Sequence, residues 1–210
     1  MSAEIARGEL APRLLGLAPE RRVIAAIAGP PASGKSRLAG EVVAQMNAAE
    51  PGCAALLPMD GFHYDDLYLV PAGLRPRKGA PETFDVGGLR HTLLRLRAND
   101  EPHVAVPVFD RDIEIARAGA RLIAQSVRVV VAEGNYLLLD RPPWNALRPL
   151  FDLTVMLSVP EEELRARLMR RWAKQGLDVA EARRKTEEND LPNGRLVMEA
   201  SAPADFVIRV

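Results

Sequence analysis

Gly29-Pro30-Pro31-Ala32-Ser33-Gly34-Lys35-Ser36 fits the pattern G-x-x-x-x-G-K-[ST] and lies between an apolar run and a stretch of helical composition. Such a loop aims backbone N–H groups at one point, and the start of the following helix adds unpaired donors and a dipole that favours negative charge. The phosphate chain of ATP suits this arrangement. Gly29, Ala32, Ser33, Gly34 and Arg37 would line the cradle, and Lys35 would reach the β- and γ-phosphates. The Ser36 hydroxyl would meet a Mg²⁺ ion bridging the same oxygens. The competing reading is a plain glycine-lysine turn at a helix start.

Two acidic residues close apolar runs elsewhere. Asp60, after Ala54 to Met59, is the candidate base. Phosphoryl transfer asks a protein for positioning, charge stabilisation and a carboxylate that orients the acceptor hydroxyl and takes its proton. A strand-ending Asp-Gly turn is the alternative. Glu133, after Val127 to Ala132, is the candidate to hold Mg²⁺ directly or through water. A buried carboxylate there needs an opposing cation, so a salt bridge is its other reading.

Arg167, Arg170 and Arg171 share a helix side by three- and four-residue spacing. Guanidinium groups suit the charge developing on a transferring phosphoryl group, and a mobile helix can deliver them. Arg167 and Arg171 are therefore candidate catalytic residues and Arg170 a nucleotide contact, against the alternative of a solvated helix face. Arg75, Arg77 and Lys78 form a second cationic stretch, either a seat for an anionic substrate or solvated loop charge. His63 lies near Asp60, Asp65 and Asp66, a grouping that could bind a transition metal. Magnesium held mainly by ATP meets the metal need with fewer protein ligands. His91 and His103 lack useful neighbours, and Trp144 and Trp172 read as packing residues on helices.

These groups must be carried to one edge of a sheet. Apolar strand candidates are Val23 to Ala28, Ala54 to Met59, Val104 to Phe109, Val127 to Ala132, Leu153 to Val159 and Phe206 to Val210. Their continuous apolarity predicts strands covered on both faces, hence a parallel sheet with helices on either side and a ligand at its carboxyl edge. Helices are expected over Lys35 to Ala48, Val86 to Arg97, Glu161 to Lys174 and Val179 to Glu188. The third follows Pro160 and opens with three glutamates, which suits a helix N-terminus. Met1 to Leu17 reads as an amphipathic helix. Gly61 to Thr83 and Gln175 to Arg195 read as irregular segments that cover an active site.

The bulk composition narrows the function classes. With 210 residues, 48% hydrophobic and 27% charged, the chain has the make-up of a soluble globular protein. Lys and Arg number 28 and so do Asp and Glu, so no global field draws the molecule to nucleic acid or membrane. Cys53 is the single cysteine and cannot form an internal disulfide, in agreement with a reducing compartment. No apolar run approaches the roughly 18 residues of a membrane span, and the N-terminus lacks a signal-peptide core. The expectation is a cytoplasmic protein with a small-molecule partner, no nucleic acid or membrane partner, and a homodimer left open.

Taken together, these segments resemble the P-loop kinases that include uridine kinases, phosphoribulokinases and bacterial-type pantothenate kinases. The resemblance is carried by Gly29 to Ser36, Asp60-Gly61-Phe62, Pro81-Glu82-Thr83-Phe84-Asp85, Val106-Pro107-Val108-Phe109-Asp110, Glu133-Gly134 and Arg167 to Arg171. It implies an α/β fold, a P-loop NTPase three-layer sandwich with a mainly parallel sheet, helices on both faces and a helical lid over about 161–195, in one domain. It also implies ATP and Mg²⁺, with Asp60 as base, Glu133 supporting magnesium and the lid arginines on phosphates. The acceptor contacts it suggests are Asp60, Phe62, His63, Phe84, Asp85, Phe109 and Arg111. Phe109 stands where the family usually has tyrosine, so a phenolic hydrogen bond to a nucleoside is absent.

Met59 to His63, Gly79 to Asp85 and Asn189 to Asn193 are most similar to a bacterial branch labelled fructose-transport-system kinases, which points to a sugar acceptor. A nucleoside or pantothenate-type acceptor is the alternative. A regulatory GTPase would show an Asn-Lys-x-Asp segment, absent here, and Asp85-Val86-Gly87-Gly88 precedes a helix, which makes Asp85 an N-cap or a substrate contact. A non-catalytic nucleotide-binding module remains as a different class, argued against by Asp60, Glu133 and the basic lid.

Overall fold

The computed structural model describes residues 2–18 and 21–210. Its strands are β1 (Ala3–Glu4), β2 (Val23–Ala28), β3 (Ala54–Pro58), β4 (His103–Asp110), β5 (Ile115–Ala124), β6 (Val129–Gly134), β7 (Leu153–Ser158) and β8 (Phe206–Arg209). Its α-helices are α1 (Leu10–Leu17), α2 (Lys35–Ala49), α3 (Asp66–Leu69), α4 (Val86–Ala98), α5 (Glu161–Lys174), α6 (Val179–Lys185) and α7 (Leu191–Ala200). Six strands form a parallel sheet in the order β1-β8-β7-β2-β6-β3.

The apolar runs are continuous because both faces of the central strands are covered. Successive strand residues point to opposite faces. Ile24, Ala26 and Ala28 of β2 join one core with Leu89, Leu93 and Leu96 of α4. Val23, Ala25 and Ile27 join the other with Leu10 and Leu14 of α1 and Leu38, Val42 and Met46 of α2. At roughly 1.5–3 kcal/mol per fully buried aliphatic side chain, these two layers hold the sheet that carries the site.

Four expectations are corrected. The N-terminus is not one helix: Ala3–Glu4 adds a parallel edge strand to β8, and α1 begins only at Leu10. Met1 lies outside the described residues. The run at Val104 to Phe109 is outside the parallel sheet, because β4 pairs antiparallel with β5. Its burial alternates, with Val104 and Val106 inside and His103 and Ala105 exposed, and the small Ala105 hid that period. β5 was not expected at all: its arginines, alanines and Gly119 carry little strand propensity. Finally, Gln175 to Arg195 is less irregular than expected: the helix expected over Val179 to Glu188 is present as α6 and a π-helical turn Thr186–Asp190, and α7 follows where no helix is expected. Pro192 sits at the second position of α7, directly after the π turn, within one continuous helical run.

Asp152, 7% exposed, ties the amino end of the sheet. Arg97 and Arg21 donate to it, and so does the Ile24 N–H at 2.9 Å. Burial alone would raise its pKa, but the bonds from Arg97, Ile24 and Arg21 outweigh it and hold the carboxyl below its ordinary range. A depressed carboxyl contributes stability that is fully present above its unfolded pKa and is lost as pH falls through the lower folded value. Asp152→Asn is therefore expected to lose about 2–4 kcal/mol in urea unfolding at pH 7. The gap to wild type is expected to shrink below about pH 4.

Candidate active site

Parallel pairing puts the carboxyl ends of β2, β3 and β6 at one edge, with Glu133 in register between Ile27 and Pro58. The loop leaving β2 enters α2 through two left-handed residues, Ala32 at φ 61° and Gly34 at φ 92°. A left-handed alanine is strained, a device found at ligand-holding loops. The α2 N-terminus has no side-chain cap, so its first-turn N–H groups are open to a ligand. The Ser33 hydroxyl is buried with no partner among the described residues. Uncapped amides and an orphaned hydroxyl fit a phosphate chain.

Lys35 opens α2 beside two carboxylates. Burial lowers its pKa, while the charges of Glu133 and Asp60 act to keep it protonated. Glu133, 4% exposed, accepts a hydrogen bond from Ser36 Oγ at 2.9 Å. Burial pushes Glu133 upward against the opposing charge of Lys35. Two adjacent hard oxygen donors beside a phosphate cradle fit Mg²⁺, which takes few protein ligands and completes its octahedron with phosphate and water. Among the described residues, no group of three or more His, Cys, Asp or Glu converges into a metal cage.

Asp60 lies in a 3₁₀ turn, Met59–Phe62, that directly continues β3. Gly61 is required there: a Cβ would stand 2.4 Å from the Pro107 carbonyl oxygen, so glycine lets the β4–β5 hairpin press against this turn. The hairpin thereby brings Arg111, whose guanidinium donates to Asp60 Oδ2 at 2.6 Å. His63 Nδ1 lies 2.8 Å from the Asp60 carbonyl, which places a proton on Nδ1. Burial would raise the Asp60 pKa, but His63 when protonated and the standing positive charges of Arg111, Lys35 and Arg171 hold it below its ordinary value. His63 itself is lowered by burial. Asp60 is thus ionised at neutral pH.

Lys35 and Asp60 line one cleft of about 630 Å³ together with Phe84, Phe109, Arg111 and Arg171. No profile of a known protein family matches the chain. It is 34% identical over 194 residues to the Uncharacterized protein YggC of Escherichia coli K12, spanning 91% of this chain and 79% of that protein. It is 32% identical over 198 residues to a candidate uridine kinase of Schizosaccharomyces pombe, spanning 90% and 84%. A solved structure described as a candidate fructose transport system kinase from Silicibacter sp. TM1040 superposes with a TM-score of 0.89 at 40% identity, covering 97% of this chain and 98% of that one. The chain belongs to the P-loop kinases of the uridine kinase and phosphoribulokinase type. It is a phosphotransferase that uses ATP. YFH7 of Saccharomyces cerevisiae, at 20% identity and a TM-score of 0.83, shares the fold.

The other anticipated site residues of this kinase are distributed unevenly. Arg171 lines the cleft, where burial lowers its pKa, and it makes no hydrogen bond to a described residue. Arg167 donates to Glu163 at 2.7 Å and lies against the phosphate loop, 3.5 and 3.4 Å from the Ala32 and Ser33 carbonyls. Arg170 and Arg37 lie outside the cleft lining: the first is 69% exposed beside Glu163, the second 79% exposed and bonded to Glu41. Phe62 is buried in the core rather than in the cleft wall. Asp85 caps α4, accepting from the Gly88 N–H at 2.7 Å, and likewise does not line the cleft. His63 does, its ring tilted against those of Phe84 and Phe109, with centroids 3.9 and 4.8 Å away.

Sequence reasoning missed several lining residues. Trp172 is more than packing: it faces the cleft, its Nε1 donates to Asp190 at 2.7 Å, and Lys185 lies 4.5 Å above its ring. Asn189 and Asn193 enter through the π turn and α7, and Asn135 follows Glu133-Gly134 with a buried Oδ1 that has no partner among the described residues. A polar residue directly after a strand-end acid was the available signal for Asn135. Trp144, by contrast, packs in the core, on a 3₁₀ helix.

Proposed function

We propose that this kinase transfers the γ-phosphoryl group of ATP to a hydroxyl of a small sugar or sugar-like metabolite. The single observation that carries the reading is the shared cleft of Lys35 and Asp60, where Arg111 donates to the Asp60 carboxylate. Asp60 orients the acceptor hydroxyl and takes its proton as the new O–P bond forms. The bond from the γ-phosphorus to the bridging oxygen breaks, and ADP leaves with that electron pair. Lys35 and Arg171 face the charge that builds on the transferring group and on the leaving oxygen. Magnesium, held by Ser36 and Glu133, would neutralise the same oxygens. Arg167 steadies the phosphate loop through its carbonyls, and Gly29, Ala32, Ser33 and Gly34 form the cradle.

The sugar preference draws on the description of the Silicibacter protein and on Phe109, which offers a nucleoside no hydroxyl to bond. The test is acceptor-dependent ADP release with sugars, nucleosides, pantothenate and glycerate, with Lys35→Ala as control. Turnover with a sugar-like acceptor is expected. Turnover with nucleosides alone would move the substrate class, and ATP binding without turnover for any acceptor would favour a non-catalytic module.

A further inference from the structure

The cationic stretch Arg75, Arg77 and Lys78 is part of the cleft lining, and one member is not solvated charge: the Lys78 side chain is only 6% exposed. Its ammonium donates to Asp66 Oδ1 at 2.7 Å and to the Glu114 carbonyl at 2.8 Å, and it lies 5.5 Å from the Phe109 ring centroid. Arg75 donates only Nε to Asp66, at 2.6 Å, which leaves both terminal nitrogens without a partner among the described residues. Arg111 gives one terminal nitrogen to Asp60 and no other to a described residue. Asp66 therefore acts as a bracket that holds Arg75 and Lys78 side by side, across from the guanidinium that touches the base.

The cleft lining carries eight Lys and Arg side chains, Arg75, Arg77, Lys78 and Arg111 among them, against four carboxylates, Asp60, Glu114, Glu188 and Asp190, while Asp66 lies outside the lining and pairs with Arg75 and Lys78. The lid side balances Arg184 and Lys185 with Glu188 and Asp190. A neutral sugar closed into this space would desolvate a surplus positive charge and unpaired guanidinium N–H groups, a costly state unless an anion joins them. Paired terminal nitrogens of arginine match a carboxylate or phosphate. We infer that the acceptor carries, besides the hydroxyl that is phosphorylated, an anionic group seated by Arg75 and Lys78 with Arg111. The acceptor is then a sugar acid or a sugar phosphate rather than a free sugar. The inference rests on the proposed function above for the identity of the cleft, and its test separates the two.

Two measurements are made. In the first, inorganic phosphate is titrated into protein saturated with a non-hydrolysable ATP analogue, so that the phosphate loop is filled. Saturable binding is expected, weakened about tenfold or more in Arg75→Gln and in Lys78→Met, and unchanged in Arg90→Gln, an exposed residue of α4. Arg75 is 42% exposed, so its variant keeps the test open if Lys78→Met fails to fold. In the second, fructose, gluconate and fructose 6-phosphate are compared as acceptors for ADP release. An anionic acceptor is expected to exceed fructose at least tenfold in kcat/KM, and Arg75→Gln to raise its KM while leaving the KM for ATP in place. Gluconate against fructose 6-phosphate tells carboxylate from phosphate. Absence of phosphate binding, or equal binding in the variants, overturns the inference, as does a preference for neutral fructose. Phosphate binding that depends on Arg75, with no acceptor phosphorylated, keeps the anion seat and overturns the sugar-type acceptor of the proposed function instead.

Discussion

Lys35→Ala is expected to lower kcat by about 10²–10³ and to weaken ATP binding by about tenfold or more. Both effects come from one position. The ammonium stands at the first residue of α2, where uncapped amides already favour phosphate, and it is flanked by Glu133 and Asp60. Removing it takes away a charge that touches ground-state phosphates and the transition state alike, so KM and kcat move together. It also leaves two carboxylates facing each other without their shared cation, which opposes the approach of an anionic nucleotide. The measurement is steady-state kinetics together with direct titration of ATP. An alanine variant that binds ATP as wild type does would remove Lys35 from the phosphate site.

Asp60→Asn is expected to separate the two parameters. The amide keeps the size of the side chain and a hydrogen bond with Arg111, but it cannot accept the acceptor proton. Turnover is expected to fall by about 10²–10⁴ while the dissociation constant for ATP changes by no more than about threefold. The pH dependence gives a second readout. Activity that needs an ionised base is lost as pH falls through the pKa of that base, and the cations around Asp60 hold that value below the ordinary 3.8. The acid limb of kcat/KM attributable to Asp60 is therefore expected below about pH 4. A variant with near wild-type turnover would contradict the assignment.

Much of this arrangement is legible in the chain because its carriers are local. The phosphate loop is a contiguous motif, Asp60 and Glu133 each follow an apolar run directly, and parallel pairing necessarily brings their strand ends to one edge. Where side chains go is less legible. Arg37 and Arg170 have the right type and spacing, but each finds a carboxylate on its own helix, Glu41 and Glu163, and turns away from the cleft. Phe62 and Asp85 sit inside segments that resemble the kinase pattern in sequence, yet one is needed by the core and the other by the N-terminus of α4.

The hairpin and the segment from α6 to α7 are less legible. β4 hides its period behind a small alanine, and β5 has a composition that no strand scale favours. Their consequence is large, because Arg111 reaches Asp60 only through that hairpin. In α7, a proline and a glycine in the first half look like breaks, and the π turn before it carries Asn189, which lines the cleft. Lys78 could be read as seat or as solvated loop from composition. Its burial behind Asp66 and Glu114 depends on contacts 12 and 36 residues away, which no local pattern encodes.

The fate of the γ-phosphorus separates transfer to an alcohol from hydrolysis. With ATP radiolabelled at that position and a panel of neutral and anionic polyols, label is expected on an organic acceptor, formed in step with ADP and abolished by Asp60→Asn. Label found only on inorganic phosphate, at a rate that no acceptor changes, would contradict that transfer.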